Sequence, residues 1–250
     1  MKPKAFTLIE LLVVISIIAV LLAILMPSLR LVKDQAKRIH CVSNVKTLCL
    51  GWYMYKDDNN DNIVPGNTDP GNWVGRPPSG ATLEQQKDAI KSGLLYSYVG
   101  KEIGVYHCPA DKRKQGANVA YLTFSVPGGA NGESGSEYVN AKKYSDLKKP
   151  FEKYVFVEEA DTRGTNEGSW QMNPKSKTWV DPVAMWHRRQ STLGFADGHA
   201  DMHDWVDKSF IDWNEKAMYN TGFSFNMTPP ANEQVDIEYM VKGFPYKSLR

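Results

Sequence analysis

The 250-residue chain is short of cysteine, of excess charge and of recognisable catalytic signatures. Three Cys are too few for a miniprotein built on a disulfide framework, although one bridge with one Cys left over remains open. Thirty Lys+Arg against 28 Asp+Glu leave a formal net charge of +2, without the strong basic excess of a dedicated nucleic-acid binder. No G-x-S-x-G, P-loop, H-E-x-x-H or dinucleotide fingerprint occurs, so no enzyme activity is expected. There is no internal repeat. Hydrophobic residues at 42% and charged residues at 23% exclude a wholly disordered, collagen-like or polytopic membrane chain. The length suits one large domain or two small ones, and the mean hydropathy of −0.43 is that of a soluble protein. That average conceals one long apolar run.

Residues 11–26 read LLVVISIIAVLLAILM, broken only by Ser16. Extended back to Phe6, the run is 21 residues long, with Thr7 and Glu10 as its other polar members. As a helix it spans roughly 30 Å, the thickness of a bilayer's hydrocarbon core. A buried core helix would show a polar face, and this one shows none. A cleaved secretory signal would be shorter and followed by small residues; here Met26-Pro27-Ser28 leads into more helix. Lys2 and Lys4 precede the span, and Arg30, Lys33, Lys37 and Arg38 follow it. By charge alone the bulk of the protein would face the cytoplasm. Glu10 stands out, because an ionisable group in an apolar span is costly unless it snorkels to the headgroups or has a partner.

Beyond Pro27, Leu29, Val32, Ala36, Ile39, Val42, Val45, Cys49 and Trp52 recur in three- and four-residue steps. They predict an amphipathic continuation of one helix of roughly 50 residues, kinked near Pro27, its stripe laid on a sheet. The polar run 57–62 ends it. Thr82-Leu83-Glu84-Gln85 reads as a capping box opening a short helix to about Lys91. A second short helix is expected over 94–99, and strands over 119–126, 154–158, 192–196 and 199–205. Asp197-Gly198 between the last two is a hairpin signal. The Gly-rich stretch 127–136 is expected to be a mobile loop.

The N-terminal residues Lys4-Ala5-Phe6-Thr7-Leu8-Ile9-Glu10-Leu11-Leu12-Val13-Val14-Ile15 resemble the leader of type IV pilins and type II secretion pseudopilins. The resemblance implies cleavage by a prepilin peptidase between Ala5 and Phe6 and methylation of the new amino group. The family usually has Gly where Ala5 stands. The resemblance also implies a role for Glu10 in assembly. Its carboxylate would meet the N-terminal amine of a neighbouring subunit and fix axial register in a filament. The leader would be cytoplasmic and the head outside the inner membrane, which overrides the charge count. Removing Lys2 and Lys4 with the leader leaves 28 side chains of each sign.

Further along, His187 followed after nine residues by Asp197-Gly198 resembles the H-x9-D-G signature of a pilin-like family of Planctomycetes, Verrucomicrobia and Lentisphaerae. Cys41-x-x-Asn44-x-Lys46 and His107-Cys108-Pro109-Ala110-Asp111 fit the same family. Residues 206–250 match no known pattern. A metal reading of this region would use His187, Asp197, His199, Asp201 and His203, with Zn or Mn the suited ions. The simpler reading is structural: Asp197 and Gly198 shape a tight hairpin, which His187 holds by a hydrogen bond, and no cofactor is bound. Glu158, Glu159 and Asp161 read as a solvated strand end rather than a catalytic carboxylate group. The seven Trp read as core, with sugar-stacking platforms built from them and the 12 Tyr the alternative. Cys41 and Cys49 lie about 12 Å apart by helical rise, too far to bridge. In an exported head Cys41–Cys108 is the candidate disulfide, worth roughly 4 kcal/mol by chain entropy; two buried thiols are the alternative.

The expected architecture is α+β and pilin-like, a long N-terminal helix on an antiparallel sheet head with short helices and loops. It divides into a leader at 1–5, a transmembrane helix at 6–26, its amphipathic continuation at 27–56 and an exported head at 57–250. The expected function is a pseudopilin-like subunit, single-pass in the inner membrane. Its partners would be prepilin peptidase and other pilin-like subunits, with no nucleic acid. A membrane-anchored surface or carbohydrate-binding module is the alternative, and a tethered metal-dependent hydrolase the more distant one.

Overall fold

The computed structural model describes residues 8–111, 113, 120–160, 167–219 and 222–247. Helix α1 runs from Leu8 to Asp58, 51 residues in one piece. Pro27 lies inside it and forfeits one backbone hydrogen bond, yet the helix continues past it. Ser16 and Ser28 donate their hydroxyls to the carbonyls of Val13 and Leu25, at 2.7 and 2.8 Å. Both hydroxyls are thereby satisfied beside the apolar run, which lipid alone would not do.

The two ends of α1 meet different surroundings. Residues 8–36 are exposed throughout, and burial starts at Cys41. From there Cys41, Asn44, Val45, Leu48, Cys49 and Trp52 form one inward stripe at three- and four-residue steps. The predicted stripe thus holds at Val45, Cys49 and Trp52 but fails further up, where Leu29, Val32 and Ile39 are 62, 64 and 62% exposed. The head simply ends there. Its outermost ties to the helix are Arg38 Nε to Met202 Sδ at 3.2 Å and an exposed Asp34–Arg188 ion pair.

The head carries a five-stranded sheet in the order β3-β1-β2-β6-β7. Its strands are β1 (Phe124–Pro127), β2 (Tyr154–Glu158), β3 (Ser169–Trp170), β6 (Gln190–Phe195) and β7 (Ala200–Asp204). A separate hairpin pairs β4 (Met172–Asn173) with β5 (Thr178–Trp179). The sheet is mixed rather than antiparallel throughout, because β3 joins β1 in parallel. β2 falls on its predicted residues, and β6 and β7 lie within two residues of theirs; β1 is shorter than expected, and Val119 lies outside the described residues. The β6–β7 hairpin turns through Asp197 and Gly198, whose φ of +96° suits glycine.

Alternation along β6 divides the core. Thr192 and Gly194 face α1, while Ser191, Leu193 and Phe195 face the opposite side. A Cβ on Gly194 would stand 2.6 Å from Val45 Cγ1 and closer still to Cys49 Sγ, so glycine is what lets α1 lie on the sheet. The opposite face is covered by α3 (Lys208–Tyr219) and α4 (Val235–Gly243), through Phe210, Ile211, Trp213, Ile237 and Met240. The unassigned C-terminal residues therefore close the second half of the core. All seven Trp are buried, as the core reading expects.

Helix α2 (Leu83–Lys91) opens with the predicted capping box: Gln85 N donates to Thr82 Oγ1 and Thr82 N to Gln85 Oε1. Residues 94–99 form hydrogen-bonded turns instead of a helix. The Gly-rich stretch is packed where mobility was expected, because residues 127–130 are buried and Gly128 sits against Tyr138 and Gln171.

Candidate functional site

Two features stand apart from ordinary packing. The first is the bare stem. Residues 8–26 have no cover from the head, and Glu10 in the first turn is the sole ionisable side chain among them. Ala5 and Phe6, the expected processing site, lie outside the described residues.

The second lies where the stem enters the head. Cys41 from α1, Cys108 from the loop after a short 3-10 turn, Glu158 at the end of β2 and His187 before β6 converge there. One donor atom from each falls within 4.8 Å of all the others. Cys41 Sγ donates to Glu158 Oε1 at 3.0 Å, Cys108 Sγ and His187 Nε2 are 3.2 Å apart, and His187 Nε2 stands 3.4 Å from Glu158 Oε1. The group is sealed: Cys41, Cys108 and Glu158 are wholly buried and His187 is 3% exposed.

Local bonds hold Cys41, Cys108 and Glu158 in place. Asn44, one turn after Cys41, donates to the carbonyls of Gly104 and His107 at 3.2 and 3.1 Å and so docks the cysteine loop on the helix. Thr123 Oγ1 accepts from Cys108 N at 2.7 Å, and Ala110 N donates to Cys108 Sγ at 3.4 Å. Thr192 donates its N–H to Glu158 Oε2 at 2.6 Å and its hydroxyl to Cys41 Sγ at 3.2 Å. One carboxylate oxygen of Glu158 is thereby anchored, and the other is turned toward Cys41 Sγ and His187 Nε2.

Electrostatics follow from burial and proximity. Desolvation opposes charge on His187, but its hydrogen bonds to Cys108 and Glu158 outweigh that and push its pKa up to about 10. Burial raises the Cys41 thiol well above its ordinary value, and Cys108 and Glu158 add to the rise.

Several sequence expectations are corrected here. Cys41 and Cys108 are neighbours but free thiols, each engaged with Glu158 or His187 rather than with a bridging sulfur. His187 does not hold the Asp197-Gly198 hairpin; it turns to Cys108 and Glu158, and β6 runs between it and Asp197. Asp197 and His199 stay together on the exposed hairpin, and Asp201 is exposed as well. His203 stacks on Tyr239 with ring centroids 3.8 Å apart, beside Asp236. These residues do not converge with His187 as a metal site. Glu158 and Glu159 are fully buried, not a solvated strand end, and Asp161 lies outside the described residues. Glu158 is the member of the cluster that sequence reasoning misses. Its signal is an acid ending the otherwise apolar strand Tyr154–Glu158, on the same face as Phe156.

Residues 1–26 match the prokaryotic N-terminal methylation motif. No curated protein and no solved structure matches the chain. The motif covers the leader and the apolar part of α1 and stops short of the head. It is a prepilin-type motif, the mark of chains processed by a prepilin peptidase. Among the described residues α1 is the helix long and apolar enough to cross a membrane. Together the two features describe a prepilin-like chain anchored by a single span.

Proposed function

We propose that the chain is a pseudopilin-like structural subunit, without catalytic activity, that is cut between Ala5 and Phe6 and packed through its stem into a short envelope filament. The observation that carries this reading is the uncovered apolar stem continuous with the methylation motif. Each large aliphatic side chain left in water forgoes roughly 1.5–3 kcal/mol of burial. The stem has more than a dozen, so it needs lipid before assembly and sister helices after it. Glu10 then supplies register, since a carboxylate in an apolar bundle is favoured where a neighbour's N-terminal amine meets it. The leader lies in the cytoplasm and the head on the far side of the inner membrane. Burial of every Trp leaves the carbohydrate-display alternative to exposed tyrosines such as Tyr219, at 60% exposure, and so counts against it.

Mass spectrometry of the N-terminus, on full-length chain expressed with a prepilin peptidase, tests the processing step. A mature chain starting at methylated Phe6 is expected, and an intact Met1 would overturn it. Amine-directed cross-linking in membranes tests assembly, with ladders of subunits expected for the native stem.

A further inference from the structure

The buried cluster is built like a metal site. A tetrahedral ion with bonds of about 2.0–2.3 Å to nitrogen, oxygen and sulfur has ligand–ligand edges of about 3.3–3.8 Å. The edges here are 3.0 Å for Cys41–Glu158, 3.2 Å for Cys108–His187 and 3.4 Å for His187–Glu158. These three of the six edges lie within about half an ångström of tetrahedral values, and the remaining three are no longer than 4.8 Å.

We propose that Cys41, Cys108, Glu158 and His187 bind one zinc ion, a structural centre that fastens the stem helix to three separate segments of the head. The donor set selects the metal. Two sulfurs and an imidazole suit a borderline-soft ion such as Zn²⁺, whereas Mg²⁺ and Ca²⁺ take oxygen ligands. All four positions come from buried protein groups, which is the closed coordination of a structural rather than a catalytic site. On binding, the ion displaces the two thiol protons and any proton on His187 Nε2, and those protons leave to solvent. Two thiolates and a carboxylate around Zn²⁺ leave one net negative charge. The N–H of Ala110 and the N–H and hydroxyl of Thr192 already point at the atoms that would carry it.

A Cys41–Cys108 disulfide would account for two of the four groups only. It gives no reason for a fully buried carboxylate to meet one of those sulfurs and an imidazole the other. A groove of about 570 Å³, lined among others by Ile39, Ala110, Trp186 and His187, runs along the outer side of the sealed cluster. The inference does not depend on filament assembly, since it concerns the head and the end of the stem seated in it.

The test uses full-length protein in detergent micelles. Metal content is measured by plasma mass spectrometry after dialysis against micromolar zinc, and thiol reactivity is measured with and without a chelator. About one zinc per chain is expected, with Cys41 and Cys108 unreactive until the chelator is added. Cobalt substitution should give an intense thiolate-to-cobalt charge-transfer band. That band should disappear in Cys108→Ser and persist in Cys49→Ser and His199→Ala. Should Cys108→Ser fail to fold, the cobalt spectrum of the native chain still decides the ligand set. The proposal is overturned by any of three results: a Cys41–Cys108 bridge in peptide maps of protein purified with zinc present throughout, reactive thiols with no bound zinc after reduction and zinc dialysis, or stoichiometric zinc retained by Cys108→Ser.

Discussion

Gly194→Ala is the sharpest probe of how the stem is seated. Its φ is an ordinary one for L-residues, so alanine is sterically allowed on the strand itself. Loss of backbone freedom in the unfolded chain would by itself stabilise the variant by about 0.4–1 kcal/mol. Against this stands the new methyl group, 2.6 Å from Val45 Cγ1 where ordinary contact begins at 3.4 Å, and nearer still to Cys49 Sγ. Both obstacles sit on one rigid helix, so the shortfall cannot be relieved by a flexible side-chain end. Overpacking of this kind costs about 1–3 kcal/mol. The net expectation is a loss of about 1–2 kcal/mol, or roughly 2–8 °C in Tm for a head of this size. Near-ultraviolet circular dichroism is the suitable assay. It reads the buried Trp of the head and ignores the stem, which stays helical in detergent. A double-mutant cycle sharpens the test. Cys49→Ala alone leaves a small void, whereas in the Gly194→Ala background it removes the worse clash. The pair should therefore be more stable than the sum of the singles by about 1 kcal/mol. An unchanged or raised melting point for Gly194→Ala, or strict additivity in the cycle, would refute the seating of α1 against β6.

Three further outcomes are expected. Glu10→Ala should abolish cross-linked ladders in membranes while leaving the near-ultraviolet melt of the head unchanged, because Glu10 lies far along the stem from the first buried residue, Cys41. Asn44→Ala strips the donor from the Gly104 and His107 carbonyls and should cost about 1–3 kcal/mol, with a parallel weakening of zinc retention measured by competition with a chelator. Asp146 carries a pH dependence. Burial works against its ionisation, but the N–H groups of Lys143 and Lys142 and the Lys247 ammonium hold its pKa below the ordinary 3.8. A depressed carboxyl pKa contributes stability above the unfolded value that is lost as pH falls through the folded one. The deficit of Asp146→Ala, about 1 kcal/mol at pH 7, should therefore shrink toward zero below pH 3.8 in urea titrations.

The features legible in the sequence are those set by neighbours along the chain. The membrane-length run, the lone acid within it, the capping box at Thr82, strand β2 and the turn at Asp197-Gly198 each depend on a few consecutive residues. Their geometry follows from helical rise, strand alternation and turn conformation, so reading them needs no tertiary knowledge. The alternation of β2 even contains the clue to Glu158, which shares its face with Phe156. It escapes notice because acids at strand ends usually meet water.

Where the head stops along the stem is beyond that kind of reading. Leu29, Val32 and Ile39 carry the same periodicity as Val45 and Cys49, yet only the latter pair has a sheet to lie on. The cluster is the stronger case. Cys41 and Glu158 are 117 residues apart, and Cys108 and His187 are 79 apart. No ligand spacing links them. They meet because α1 lies across β2 and β6, an approach that Gly194 permits and Asn44 secures. Local sequence is enough to specify a prepilin-like anchor and an α+β head. Which of its chemically capable side chains share one buried point was decided only by the packing of four distant segments.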